Sequence, residues 1–159
     1  MSTQYHKKYK KGFTLLEIIL SITIIIVLAG AVSPFYVDWK NAVELDTAVS
    51  QLKQDLRFAR ARSLSGYNDS PHGAYFDINP SGADKIVVYQ GSSYAAREVG
   101  YDKEYIFDVS LSLDTIITGN EINFSQGLGE PSQTGEVSIT NEHTEETAVS
   151  AINSLGLIN

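Results

Sequence analysis

The twenty residues from Phe13 to Val32 form an almost wholly apolar run, with one carboxylate, Glu17, near its start. Ile18, Ile19, Leu20, Ile22, Ile24, Ile25, Ile26, Val27 and Leu28 leave no polar face on a helix of that length. At 1.5 Å per residue the run spans about 30 Å, the thickness of bilayer hydrocarbon. A helix apolar on all sides needs lipid or other apolar helices around it. Lys7, Lys8, Lys10 and Lys11 precede the run, and no acidic residue accompanies them. Basic residues stay on the cytoplasmic side, so the N-terminus is expected inside and the rest of the chain outside. A carboxylate in hydrocarbon costs about 2.5–3.5 kcal/mol on insertion scales, which marks Glu17 as functional.

The stretch Lys10-Lys11-Gly12-Phe13-Thr14-Leu15-Leu16-Glu17 resembles the class III signal of type IV pilins and pseudopilins, Gly-Phe-Thr-Leu-x-Glu before a hydrophobic helix. The resemblance covers about the first 35 residues. It implies cleavage between Gly12 and Phe13 by a prepilin peptidase and N-methylation of Phe13 by the same enzyme. It also implies that Glu17 meets the free α-amine of Phe13 on a neighbouring subunit. Each charge of such a pair relieves the desolvation of the other, and the pair sets register more readily than it adds stability. The structural alternative places Glu17 at headgroup level with no partner.

An ordinary secretory signal is the competing reading of this end, with Ala29-Gly30-Ala31 as a small-residue cleavage site. The apolar run is long for that, it contains Glu17, and helical periodicity continues through it. Gly30 and Pro34 are expected to break the helix, because proline lacks an N–H and crowds the preceding turn. A static kink and a segment that melts on assembly are both open.

Beyond Pro34 the pattern becomes amphipathic. Phe35, Trp39, Ala42, Leu45, Val49, Leu52, Leu56 and Ala59 recur at intervals of three and four. This predicts one apolar stripe for a sheet to pack on. Asp38, Lys40, Asn41, Glu44, Asp46, Gln51, Gln54 and Asp55 fall on the opposite face. Arg57, Arg60 and Arg62 complement the helix dipole near its end, and Ser65-Gly66 is the stop. After Pro71, short runs rich in Val, Ile, Tyr, Phe and Thr alternate with Gly, Pro, Asn and Asp. Strands are predicted over 74–78, 85–90, 105–109, 121–125, 136–140 and 148–152, with loops over 91–104 and 141–146.

The expected fold is α+β and pilin-like, a long N-terminal helix, half transmembrane and half amphipathic, packed on a mainly antiparallel sheet domain. Its parts are a leader over 1–12, a transmembrane or filament-core helix over 13–34, an amphipathic helix over 35–65 and an extracytoplasmic β-rich domain over 66–159. Residues 52–63 look like the helix end of minor pseudopilins. So do Ile122-Asn123-Phe124-Ser125-Gln126-Gly127-Leu128-Gly129 and Gly135-Glu136-Val137-Ser138-Ile139. This similarity points to the H-component minor pseudopilin of type II secretion and to related minor type IV pilins.

No catalytic constellation emerges, and neither a cofactor nor a metal is predicted. The chain has no cysteine, so thiolate chemistry and Cys-bearing metal sites are excluded. Asp77-x-Asn79-x-Ser81-Gly82-x-Asp84 resembles the start of an EF-hand loop, but Val88 stands where the twelfth-position glutamate belongs. A polar hairpin turn is the simpler reading. His6 lies in the leader, and His72 and His143 are expected on surface loops. The formal charge of −7 becomes more negative once the leader lysines are removed, which argues against nucleic acid as a partner. The resemblance implies as partners other pilin or pseudopilin subunits, the prepilin peptidase and an inner-membrane assembly platform. A DNA-binding minor pilin of competence would draw on Arg57, Arg60 and Arg62. A major pilin is the other alternative.

Overall fold

The structure is a computed structural model that describes residues 12–159, with the side chains of 31–35 and 38 outside the description. The predicted leader therefore lies outside the described residues except for Gly12. The chain divides into two compact units, Met1–Asp38 and Trp39–Asn159. One helix, α1 (Leu15–Ser65), carries residues of both. The second unit adds seven strands: β1 (His72–Asp77), β2 (Lys85–Gln90), β3 (Lys103–Ile106), β4 (Leu111–Thr115), β5 (Glu121–Phe124), β6 (Gly135–Asn141) and β7 (Thr147–Ile152).

All strand pairing among the described residues is antiparallel. One sheet has the order β3-β2-β1-β5, and the other has the order β4-β6-β7. Leu45, Ala48, Leu52, Leu56 and Ala59 of α1 are buried in one core with Ala74, Phe76, Ile86, Val88, Ile122 and Phe124 of the first sheet. Leu111, Leu113, Val137, Ile139 and Ile152 bring the second sheet into the same core. The period-two alternation of these strand residues turns one face of each sheet into this core.

The buried helix face differs from the predicted stripe at its beginning. Trp39 and Ala42 are exposed, and burial begins at Asn41 and Leu45. Asp55 was expected on the polar face and is only 1% exposed. Its Oδ1 forms an ion pair with Lys103 Nζ at 2.6 Å, and its Oδ2 accepts from Gln51 Nε2 at 2.9 Å. The helix is thereby tied to the edge strand β3, which the sequence reading left partly in a loop.

The helix ends where expected. Gly66 takes a left-handed φ of 65°, and Ser63 turns its hydroxyl to the first strand. Ser63 Oγ accepts from the His72 N–H at 2.7 Å. The other face of the first sheet is covered by the segment after β2. Tyr94 stacks on Tyr75 at 3.8 Å, and the Arg97 guanidinium lies 3.8 Å from the Tyr94 ring centre. Gly73 lies beneath the Tyr89 ring, where a Cβ would collide with the phenol and with the Ile122 carbonyl.

Candidate processing and assembly site

Gly12, Phe13 and Thr14 precede the first turn of α1. Thr14 Oγ1 accepts from the Glu17 N–H at 3.2 Å, and the Thr14 carbonyl accepts from Ile18 N–H at 3.2 Å. Thr14 is thus the N-cap and Glu17 the third helical residue, the Thr-x-x-Glu spacing of a capping box. An acidic residue in the first turn also complements the helix dipole. The bond from the Glu17 N–H serves helix initiation and does not depend on the Glu17 side chain.

Gly12 has no structural reason to be glycine here. A Cβ at this position would meet nothing within 4 Å among the described residues. Phe13 is 79% exposed. A junction with an unhindered glycine before an exposed residue suits a peptidase, which must seat extended backbone in its site.

From Leu15 to Leu28 every large apolar side chain is exposed. The hydroxyls in this stretch are satisfied within the helix: Ser21 donates to the Glu17 carbonyl at 2.7 Å and Thr23 to the Ile19 carbonyl at 2.8 Å. What remains outward is a nearly continuous apolar surface, far beyond what a lone soluble domain leaves uncovered. Among the described residues, no helix is long and apolar enough to cross a membrane. The α1 assignment is unbroken over Gly30 and Pro34, so this structure shows no interruption of the helix there.

The other candidate sites have structural duties. Asp84, of the EF-hand-like segment, is buried. Its Oδ1 accepts from Asn79 N–H at 2.6 Å and its Oδ2 from Leu113 N–H at 2.7 Å. Both oxygens are committed to joining the β1–β2 turn to β4. No group of three or more metal-ligating side chains occurs among the described residues. Arg57 and Arg60 reach backbone carbonyls of Ile158, Gly129 and Leu155, and Arg62 lies over the Phe58 and Tyr67 rings. His72 corrects the surface expectation. It is buried in β1, its Nδ1 lies 3.1 Å from the Ser70 carbonyl, and burial, then Arg62, pushes its pKa down. His143 is exposed in the turn after β6, as expected, and His6 lies outside the described residues.

The α+β architecture, an N-terminal helix packed on antiparallel sheets, is the fold of pilins. Among solved structures the chain is similar to the type IV minor pilin FimU of Pseudomonas aeruginosa strain PAO1 in two crystal forms. The P21 form gives a TM-score of 0.55 at 16% identity, covering 76% of this chain and 90% of that one. The P65 form gives 0.52 at 16% identity, covering 72% and 90%. Residues 7–33 match the family model described as the prokaryotic N-terminal methylation motif. No curated protein matches the sequence. The chain thus carries a methylation motif at its N-terminus and a pilin-like fold in the remainder.

Proposed function

We propose that the chain is a minor pilin or pseudopilin, a structural subunit of a type IV pilus-like or type II secretion filament. One observation carries this reading: a methylation motif over residues 7–33 opens the same helix that packs on a pilin-like head. The precursor is a single-pass protein of the inner membrane with its head outside. Prepilin peptidase cuts between Gly12 and Phe13, and Phe13 becomes N-methylated. The exposed apolar surface over 15–28 leaves lipid for the apolar interior of a filament, so one surface serves both states. Glu17 then faces the new amine of a neighbour, and α1 loosens near Gly30 and Pro34 on assembly. The subunit works with other pilins, the peptidase and an assembly platform.

Within this reading we favour the H-component type of minor pseudopilin or its pilus counterpart. A DNA-uptake role draws no support from the arginines, because Arg57 and Arg60 are spent on the chain's own carbonyls. The test is to shear surface filaments from cells that make the chain with its native assembly system, and probe the filaments for it. The subunit is expected in that fraction at low stoichiometry. Its complete retention in the membrane, with filaments present, contradicts the proposal.

A further inference from the structure

Trp39 is the chain's only tryptophan, and it stands outside the core to which the sequence pattern assigned it. It is 63% exposed at the start of the second unit, while burial on α1 begins at Asn41 and Leu45. Tyr36, three residues earlier in the first unit, is also exposed. Tryptophan and tyrosine combine a large apolar ring with a polar handle. Such side chains concentrate where one side is dry and the other wet, above all at the edges of a bilayer.

Spacing along the chain matches such an edge. Trp39 follows Phe13 by twenty-six residues, about 39 Å at helical rise. A bilayer measures about 30 Å across its hydrocarbon and about 40–45 Å with both headgroup layers. Val32, which ends the apolar run, lies seven residues before Trp39, about 10 Å at the same rise. Side chains on a helix lean toward its N-terminus, so the indole leans back in the direction of that run. With the run filling the hydrocarbon, Trp39 falls in the outer headgroup layer.

The charges that follow keep Trp39 from going deeper. Lys40 pairs with Glu44 at 3.7 Å, and the exposed Asp108 faces both. The Lys40 side chain is itself exposed, and its stem can lie along apolar surface while its ammonium stays in water. Asp108 cannot follow an indole into apolar surroundings without losing its hydration. The layer that suits Trp39 is therefore bounded by the apolar run on one side and by these charges on the other.

We propose that Trp39 anchors the membrane-held precursor in the outer headgroup layer of the lipid bilayer. The inference rests on the single-pass reading and goes beyond it by naming a residue of the second unit that touches lipid. On that reading the bilayer lies within reach of the Trp39 ring before any other subunit arrives. This chooses lipid over a neighbouring head as the occupant of the exposed ring.

A single tryptophan makes its own fluorescence the probe. The full-length chain is reconstituted in phosphatidylcholine vesicles whose lipids carry a nitroxide either on the headgroup or deep in an acyl chain. The headgroup nitroxide is expected to quench Trp39 several-fold more than the deep one. In the double variant Trp39→Phe with Asp46→Trp, the tryptophan moves two turns along α1 to another exposed position, and headgroup quenching should fall several-fold. Quenching by neither label, equal quenching by both, stronger quenching by the deep label, or equal headgroup quenching at the two positions overturns the anchor. The same vesicles are floated on a sucrose gradient. A chain that floats but fails the quenching test removes the anchor alone, whereas a chain left at the bottom contradicts the single-pass reading itself.

Discussion

Glu17, Gly12 and the Asp55–Lys103 pair carry separable predictions. Glu17 caps its own helix through its N–H, a role its side chain does not share, so Glu17→Ala leaves the backbone bond to Thr14 in place. The variant is expected to be processed normally yet to be lost from sheared filaments; normal incorporation contradicts the pairing role. Gly12 has open space around it, so Gly12→Phe should leave the fold intact while an uncleaved precursor accumulates. Cleavage at an unchanged rate would remove glycine from the recognition. The Asp55–Lys103 pair tests packing. Lys103 is 47% exposed and can rehydrate, whereas Asp55 is 1% exposed. Lys103→Ala strands the carboxylate and should cost about 3–5 kcal/mol, near the value for a broken buried pair. Asp55→Ala should cost less, about 1–3 kcal/mol. Urea unfolding of both variants measures this, and equal small losses would show the pair to be ornamental.

His72 adds a pH dependence. Its folded pKa lies below the ordinary 6.5, so the unfolded chain binds a proton that the folded chain refuses. Stability is then full above 6.5 and declines as pH falls from there toward the lowered value. Urea midpoints should drop between pH 7.5 and pH 5.5, and His72→Asn should remove most of that drop. An unchanged slope in the variant would assign the effect to carboxylates.

At the scale of elements, the residues that were legible are those whose role is local. The helix stop at Gly66 follows from left-handed backbone, and β1, β2, β5, β6 and β7 follow from β-branched and aromatic runs between turns. β4 escaped because Leu111-Ser112-Leu113-Asp114-Thr115 lacks Val, Ile and aromatics, though Leu111 and Leu113 alternate with polar neighbours and are buried. The alternation was the available signal. Asp55 and Asp84 escaped for another reason. Carboxylates read as solvent-facing, and only the fold brings Lys103 to one and the Leu113 N–H to the other. His72 likewise reads as a loop residue until β1 pairs with both β2 and β5 around it. Of the candidate site, the methylation motif over residues 7–33 was visible because such a signal is read as a contiguous string.

For the whole molecule, the proposed reading gives the two units different work. The apolar helix surface supplies attraction without direction, in lipid or among other helices. The head is one core built from α1 and two antiparallel sheets. Everything in this account begins from the junction between Gly12 and Phe13. The measurement that tests it most directly is the mass of the N-terminus after co-expression with a prepilin peptidase. The account predicts a chain that begins at N-methylated Phe13. An intact Met1 terminus, or a cut near Ala31, would contradict it.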